Sequence, residues 1–203
     1  MLKSKLMEMI TLDNLKKTLE NWLNELNSFS FKDYEGLPDM NLYMEQVVTY
    51  LERELHIFQS TSLDKIITPS MINNYVKGEV IPSPIGKKYN REHLALIEEV
   101  ATLKQVLSIN EVKEVLQNRY LDKTLKGDIF NSFNALNNEK ISTSVEEAFK
   151  KLNDVDDNDK DGLINLALDF ALSANAYISI AKRILFLIRI YDEVNKNKEE
   201  NQE

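Results

Sequence analysis

Residues 67–94 read ITPSMINNYVKGEVIPSPIGKKYNREHL, and they gather three of the chain's four prolines and two of its five glycines. Thr68 followed by Pro69 is a helix start: the hydroxyl can cap a free amide, and proline at the first helical position gives up no needed hydrogen bond. Gly78 stands where such a helix would end, which predicts a helix of about ten residues. Pro82 and Pro84 forbid its continuation, Gly86 permits a tight reversal before Lys87 and Lys88, and Asn90 can cap a further helix. The stretch therefore reads as a short helix, a basic wing over 82–91 and a second helix, with the rest of the chain as helical scaffold.

Working outward, Leu15, Leu19, Trp22, Leu23 and Leu26 keep the spacing of one helical face across 11–29, with Thr11 or Asp13 as its cap. Gly36 and Pro38 break that pattern. Met44, Val47, Val48, Leu51, Leu55 and Phe58 line a second helix, and 59–66 is a connection. Beyond Asn90, the positions Leu94, Ile97, Val100, Leu103 and Leu107 are helical, and Ser108 with Glu111 forms a capping box for a helix buried through Val112 and Leu116. Residues 121–136 read as helical, Thr143 and Glu146 as another capping box, and 154–161 as an acidic loop in which Asp161 caps the last helix. Residues 163–194 are apolar almost all round, which places them at the centre of the core or in a dimer interface. The expected class is mainly α, divided into an N-terminal accessory helix (1–36), a head (37–120), a C-terminal helical region for core or dimerisation (121–194) and a charged tail (195–203).

At 203 residues and 43% hydrophobic the chain can bury a sizeable core. It has no cysteine, so disulfides and thiolate sites are excluded, and two histidines, His56 and His93, leave little for a metal. No cofactor is expected. Charges interrupt the N-terminus, and Asp169, Lys182, Arg183 and Arg189 interrupt the apolar stretch 163–191, so no membrane span is expected and the location is read as cytoplasmic. The net charge of −8 argues against non-specific wrapping of nucleic acid. Between residues 65 and 91, however, five basic residues face one acid, Glu79.

A helix that reads DNA needs an apolar side holding it and small hydrogen-bonding side chains outward, because base edges in the major groove present paired donors and acceptors. Ile72 and Val76 would pack inward, with Met71 or Tyr75 flanking. Ser70, Asn73, Asn74 and Lys77 would face outward, and Lys77, Lys87, Lys88 and Arg91 would meet phosphates. The run TPSMINNYVKGEVIP, then KKYNREHLALI, then LKQVLSINEVKEVL resembles the DNA-binding head of MerR-type regulators. The span from about 37 to 116 more closely resembles the DUF1836 family of bacterial proteins, which carries this kind of head. The resemblance implies a winged helix-turn-helix with Tyr75 ending the recognition helix and Tyr89 and Asn90 closing the wing. It also shows departures: Ser70 and Asn73 stand where arginine is common, and Asn74 where tyrosine is usual, which implies weaker phosphate contacts.

The expected function is thus a sequence-specific regulator binding double-stranded DNA as a homodimer, through Ser70, Asn73, Asn74, Tyr75, Lys77, Lys87, Lys88, Tyr89 and Arg91. The rival expectation is a non-enzymatic adaptor whose head binds a protein, with a small-molecule effector near Tyr177 and Phe186 as a third. No catalytic constellation is visible, the acids being read as lying on solvated faces or in 154–161. That loop carries the first half of a calcium-loop pattern, but Leu168 stands where its bidentate glutamate belongs. Trp22, Tyr43, Tyr50 and Tyr75 read as core residues, and His93 as a surface residue of a first helical turn.

Overall fold

A computed structural model describes residues 14–59, 65–120 and 126–200. Among these the chain is mainly helical: α1 (Leu15–Ser28), α2 (Met44–Glu54), α3 (Pro69–Lys77), α4 (Arg91–Leu103), α5 (Ile109–Tyr120), α6 (Lys126–Leu152) and α7 (Lys160–Glu200). Single 3-10 turns lie at Tyr34–Gly36 and His56–Phe58. Strands β1 (Leu42–Tyr43) and β2 (Lys88–Tyr89) pair antiparallel, Leu42 opposite Tyr89 and Tyr43 opposite Lys88. The proposed caps at Thr11 and Asp13 lie outside the described residues.

The local signals act as their chemistry requires. Thr68 Oγ1 accepts the Met71 amide at 3.2 Å, with Pro69 at the first helical position. At the other end of α3, Gly78 is the cap, but the left-handed residue is Glu79, at φ 55°. The Glu79 amide donates to Val76 O and the Val80 amide to Tyr75 O, the paired bonds of a Schellman ending. Asn90 Oδ1 accepts the His93 amide at 3.1 Å, and Ser108 and Glu111 exchange the two bonds of a capping box.

The main core is built by Val47 and Leu51 of α2 and Leu55 just after it, Ile72 and Tyr75 of α3, Leu94, Ile97 and Val100 of α4, and Val112 and Leu116 of α5. Phe31 and Phe130, from either side of the head, join it. A second core of Leu23, Val145, Ala148 and Leu152 joins α1 to the far end of α6, with Leu163, Leu166 and Phe170 of α7 packed against it. α6 therefore takes part in both. Three of its asparagines also hold the segment before β1: Asn138 Oδ1 accepts the Phe31 amide at 2.8 Å, Asn131 Oδ1 the Tyr34 amide at 2.6 Å, and Asn134 Nδ2 donates to Lys32 O at 2.7 Å. This segment is irregular, so its backbone groups must find partners outside secondary structure.

Several expectations are corrected. Trp22 is 42% exposed, because α1 turns Leu23 toward α6 instead. Tyr43 is also exposed. Thr143 sits within the continuous α6 and bonds back to Glu139 O, so it caps nothing. The cap of α7 is Asp159, whose Oδ1 accepts the Gly162 amide, two residues before the one read from sequence. His93 is buried, and so are Glu98 and Glu99. α7 is not the centre of the core: none of its described residues is buried.

Candidate nucleic-acid interface

α3 is held by Ile72 and Tyr75, with Met71 and Val76 half-buried beside them. The same helical period turns Ser70, Asn73, Asn74 and Lys77 to solvent, at positions i, i+3, i+4 and i+7 of one face. Lys113 of α5 supports the end of the helix by donating to Gly78 O at 2.9 Å, a cation against the negative end of the helix dipole. The side chains of Asn73, Asn74 and Lys77 make no bond to other described residues.

The second part of the surface is a two-residue reversal. Ile85 and Lys88 exchange both backbone bonds at 3.0 Å, while Gly86 and Lys87 have φ of 57° and 64°. Two successive positive φ angles define the turn whose twist matches an antiparallel pair of strands. Ile85 and Lys87 stand out at its tip, Ile85 being 75% exposed. The base of the turn is clamped: His93 Nε2 lies 3.2 Å from Ser83 O, and the Tyr89 ring meets the imidazole edge-on at 5.6 Å.

The nine residues read from sequence thus separate into three groups. Ser70, Asn73, Asn74, Lys77 and Lys87 are exposed. Lys88 and Arg91 are half-buried and lean back on the protein, the Lys88 ammonium 5.0 Å above the Tyr43 ring and the Arg91 guanidinium 5.6 Å above Tyr34 and 3.5 Å from Asp39. Tyr75 and Tyr89 are buried in the core, where burial raises both hydroxyls above their ordinary range. Tyr177 and Phe186 stand on the exposed side of α7 rather than in a cavity.

Nothing among the described residues gathers ligands for a metal ion. In the acidic loop, Asp157 pairs with Lys16 at 3.5 Å and Asp159 serves as the cap. The sequence reading missed a buried acidic pair. Glu98 accepts a bond from Asn134 Nδ2 at 3.3 Å, and Glu99 one from Tyr120 Oη at 3.1 Å. Burial pushes each carboxyl up to about 7; Asn134 opposes this at Glu98, and Arg119 and Tyr120 oppose it at Glu99. The available signal was the run LALIEEVA, in which Glu98 and Glu99 have apolar neighbours on every helical side.

Residues 32–162 match a family described as Domain of unknown function (DUF1836). The match covers well over half of the chain. The chain belongs to the DUF1836 family. The DUF1836 span begins at the segment held by the α6 asparagines and runs through α2–α6 to the start of α7, so it contains the stretch 37–116 that carried the resemblance and extends beyond it on both sides. Its C-terminal extent agrees with the packing, since Phe130 of α6 belongs to the main core, while Phe31 of that core stands one residue before the span. No curated protein and no solved structure matches the chain.

Proposed function

We propose that this DUF1836 protein is a sequence-specific DNA-binding regulator that reads bases with α3 and meets phosphates with Lys77 and Lys87, in the manner of a MerR-like winged helix-turn-helix head. The observation that carries the reading is the outward face of α3: two amides and a lysine, without partners among the described residues, on a short helix whose opposite face is buried. Amide side chains match the donor and acceptor pair of adenine in the major groove. Lys77 and Lys87 bracket this face with positive charge, which would fix position without specifying sequence.

Fluorescence anisotropy with genomic fragments surrounding its own promoter tests the proposal. Binding is expected, with loss of at least tenfold in affinity for the Asn73→Ala, Asn74→Ala, Lys87→Glu variant, since one good amide–base pair contributes about 1–3 kcal/mol. Unchanged binding by that variant would sink the assignment of these residues.

A second reading, an adaptor head that binds a protein, is favoured by the engagement of Lys88 and Arg91 with Tyr43, Tyr34 and Asp39, which leaves less charge for phosphate. Salt separates the two. Affinity for DNA falls steeply as salt rises because counterions are released, whereas a mainly apolar protein contact is little affected.

A further inference from the structure

α7 carries the largest unpartnered apolar surface among the described residues. By length and composition it could cross a membrane. Among its contacts with its own chain, Leu163, Leu166 and Phe170 rest on the second core, Leu185 on the main core, Asp169 pairs with Lys151 of α6 at 2.5 Å, and Arg189 pairs with Glu114 of α5 at 2.8 Å. From Leu166 to Val194 the positions advance by alternating steps of four and three, and every one except Ser173 is apolar. Within this stripe Tyr177, Ile180, Ile184, Leu187, Tyr191 and Val194 are all exposed. Leu185 and Arg189 occupy the opposite side of the helix, so from Tyr177 onward the stripe points away from the body.

A strict seven-residue apolar repeat is the pattern by which one helix packs along another. A bilayer fits it less well. The longest uncharged run, the 12 residues between Asp169 and Lys182, reaches roughly 18 Å at 1.5 Å per residue, against a hydrocarbon core of about 30 Å. Ion pairs at Asp169 and Arg189 also tie the helix to polar helices of the body.

We propose that the stripe from Tyr177 to Val194 is the interface with a second copy of this chain, the two α7 helices running antiparallel. Their two-fold axis passes between residues 185 and 186, so that Tyr177 faces Val194 of the partner, Ile180 faces its Tyr191 and Ile184 its Leu187. Each layer then sets a larger side chain against a smaller or equal one. A parallel pair is blocked, because Leu166 and Phe170 at the head of the stripe are already covered by α1 and α6, and the two bodies would meet there. Antiparallel pairing leaves those residues to their own chain. The positions flanking the stripe are mostly apolar, among them Ala174, Ala176, Ala181, Ile188 and Ile190, with Arg183 the charged exception from 174 onward. They therefore hold little charge that would select a different helix. The inference stands apart from the DNA reading, and its test contains no DNA.

Sedimentation equilibrium of the full chain is expected to give twice the chain mass of 23.5 kDa, and the Ile184→Asp, Leu187→Asp variant the single mass with an unchanged far-ultraviolet spectrum. The chain has no cysteine, so introduced thiols report direction. Tyr177→Cys mixed with Val194→Cys should form a disulfide-linked pair on oxidation, while neither forms one alone, since the antiparallel register separates identical positions by roughly 26 Å. A monomeric wild type, a variant that stays dimeric, cross-linking of Tyr177→Cys with itself, or a monomer that partitions into neutral phosphatidylcholine vesicles would each overturn the proposal.

Discussion

Glu79 holds a left-handed backbone so that α3 can end, a conformation that costs a residue with a side chain about 1–2 kcal/mol relative to glycine. Its carboxylate gains little in return: the pair with Lys113 spans 3.5 Å and the side chain is 87% exposed, so solvent screens it. Glu79→Gly should therefore stabilise the protein by roughly 0.5–1 kcal/mol after the extra entropy glycine loses on folding, read as a higher urea midpoint with the same slope. A lower midpoint would show that the Lys113 contact outweighs the backbone. Glu98 and Glu99 act through protonation. Each folded carboxyl titrates near 7 against an ordinary value of 4.5, so between these values the folded chain holds protons that the unfolded chain has released. Stability is greatest below pH 4.5 as far as this pair is concerned, falls as pH rises to about 7, and levels off above. Glu98→Gln removes one of these titrations: its gain over wild type should be smallest at pH 5 and grow toward pH 8, by on the order of 3 kcal/mol at most. Urea unfolding across that range checks it, and a gain independent of pH would contradict the buried ionisation.

At the scale of elements, α6 is the member on which the others depend. Phe130 at its start belongs to the main core, Val145, Ala148 and Leu152 at its end to the second. One continuous helix in both cores means that neither can melt without releasing half of its neighbour's support. The two cores should unfold as one transition, with calorimetric and van't Hoff enthalpies in agreement. The Ile184→Asp, Leu187→Asp variant is the chain to use, so that association does not enter; two resolved transitions would show the cores to be independent. This element was also the hardest to read from sequence. α3, α4 and α5 announce themselves through Thr68, Asn90 and Ser108, because a cap is a local bond between residues three apart. Thr143 and Glu146 have the same spacing, yet nothing local distinguishes a capping box from a helix surface when the helix simply continues. The role of Asn131, Asn134 and Asn138 depends on a backbone segment about a hundred residues away, and no period in the sequence encodes such a partner.

At the scale of the molecule, the charge of −8 and the basic stretch between residues 65 and 91 describe a polarised protein rather than a uniformly acidic one. The helical class and the surface of α3 were readable because both follow from period and punctuation. Burial of Glu98, Glu99 and His93 was not, since it depends on how many helices surround α4, and the exposure of Trp22 depends on which face of α1 meets α6. The apolar character of α7 was plain in sequence, whereas its position outside the core emerges only once the other helices have filled that core without it. α4 has the opposite fate: all nine residues from His93 to Ala101 are buried. Substitutional freedom is accordingly divided between two neighbouring helices. α4 can accept almost no change, while Ser70, Asn73, Asn74 and Lys77 can be exchanged at little cost in stability. Changes on the outward face of α3 can therefore be made without disturbing the core beneath, because the exposed residues and those that hold the helix in place are separate.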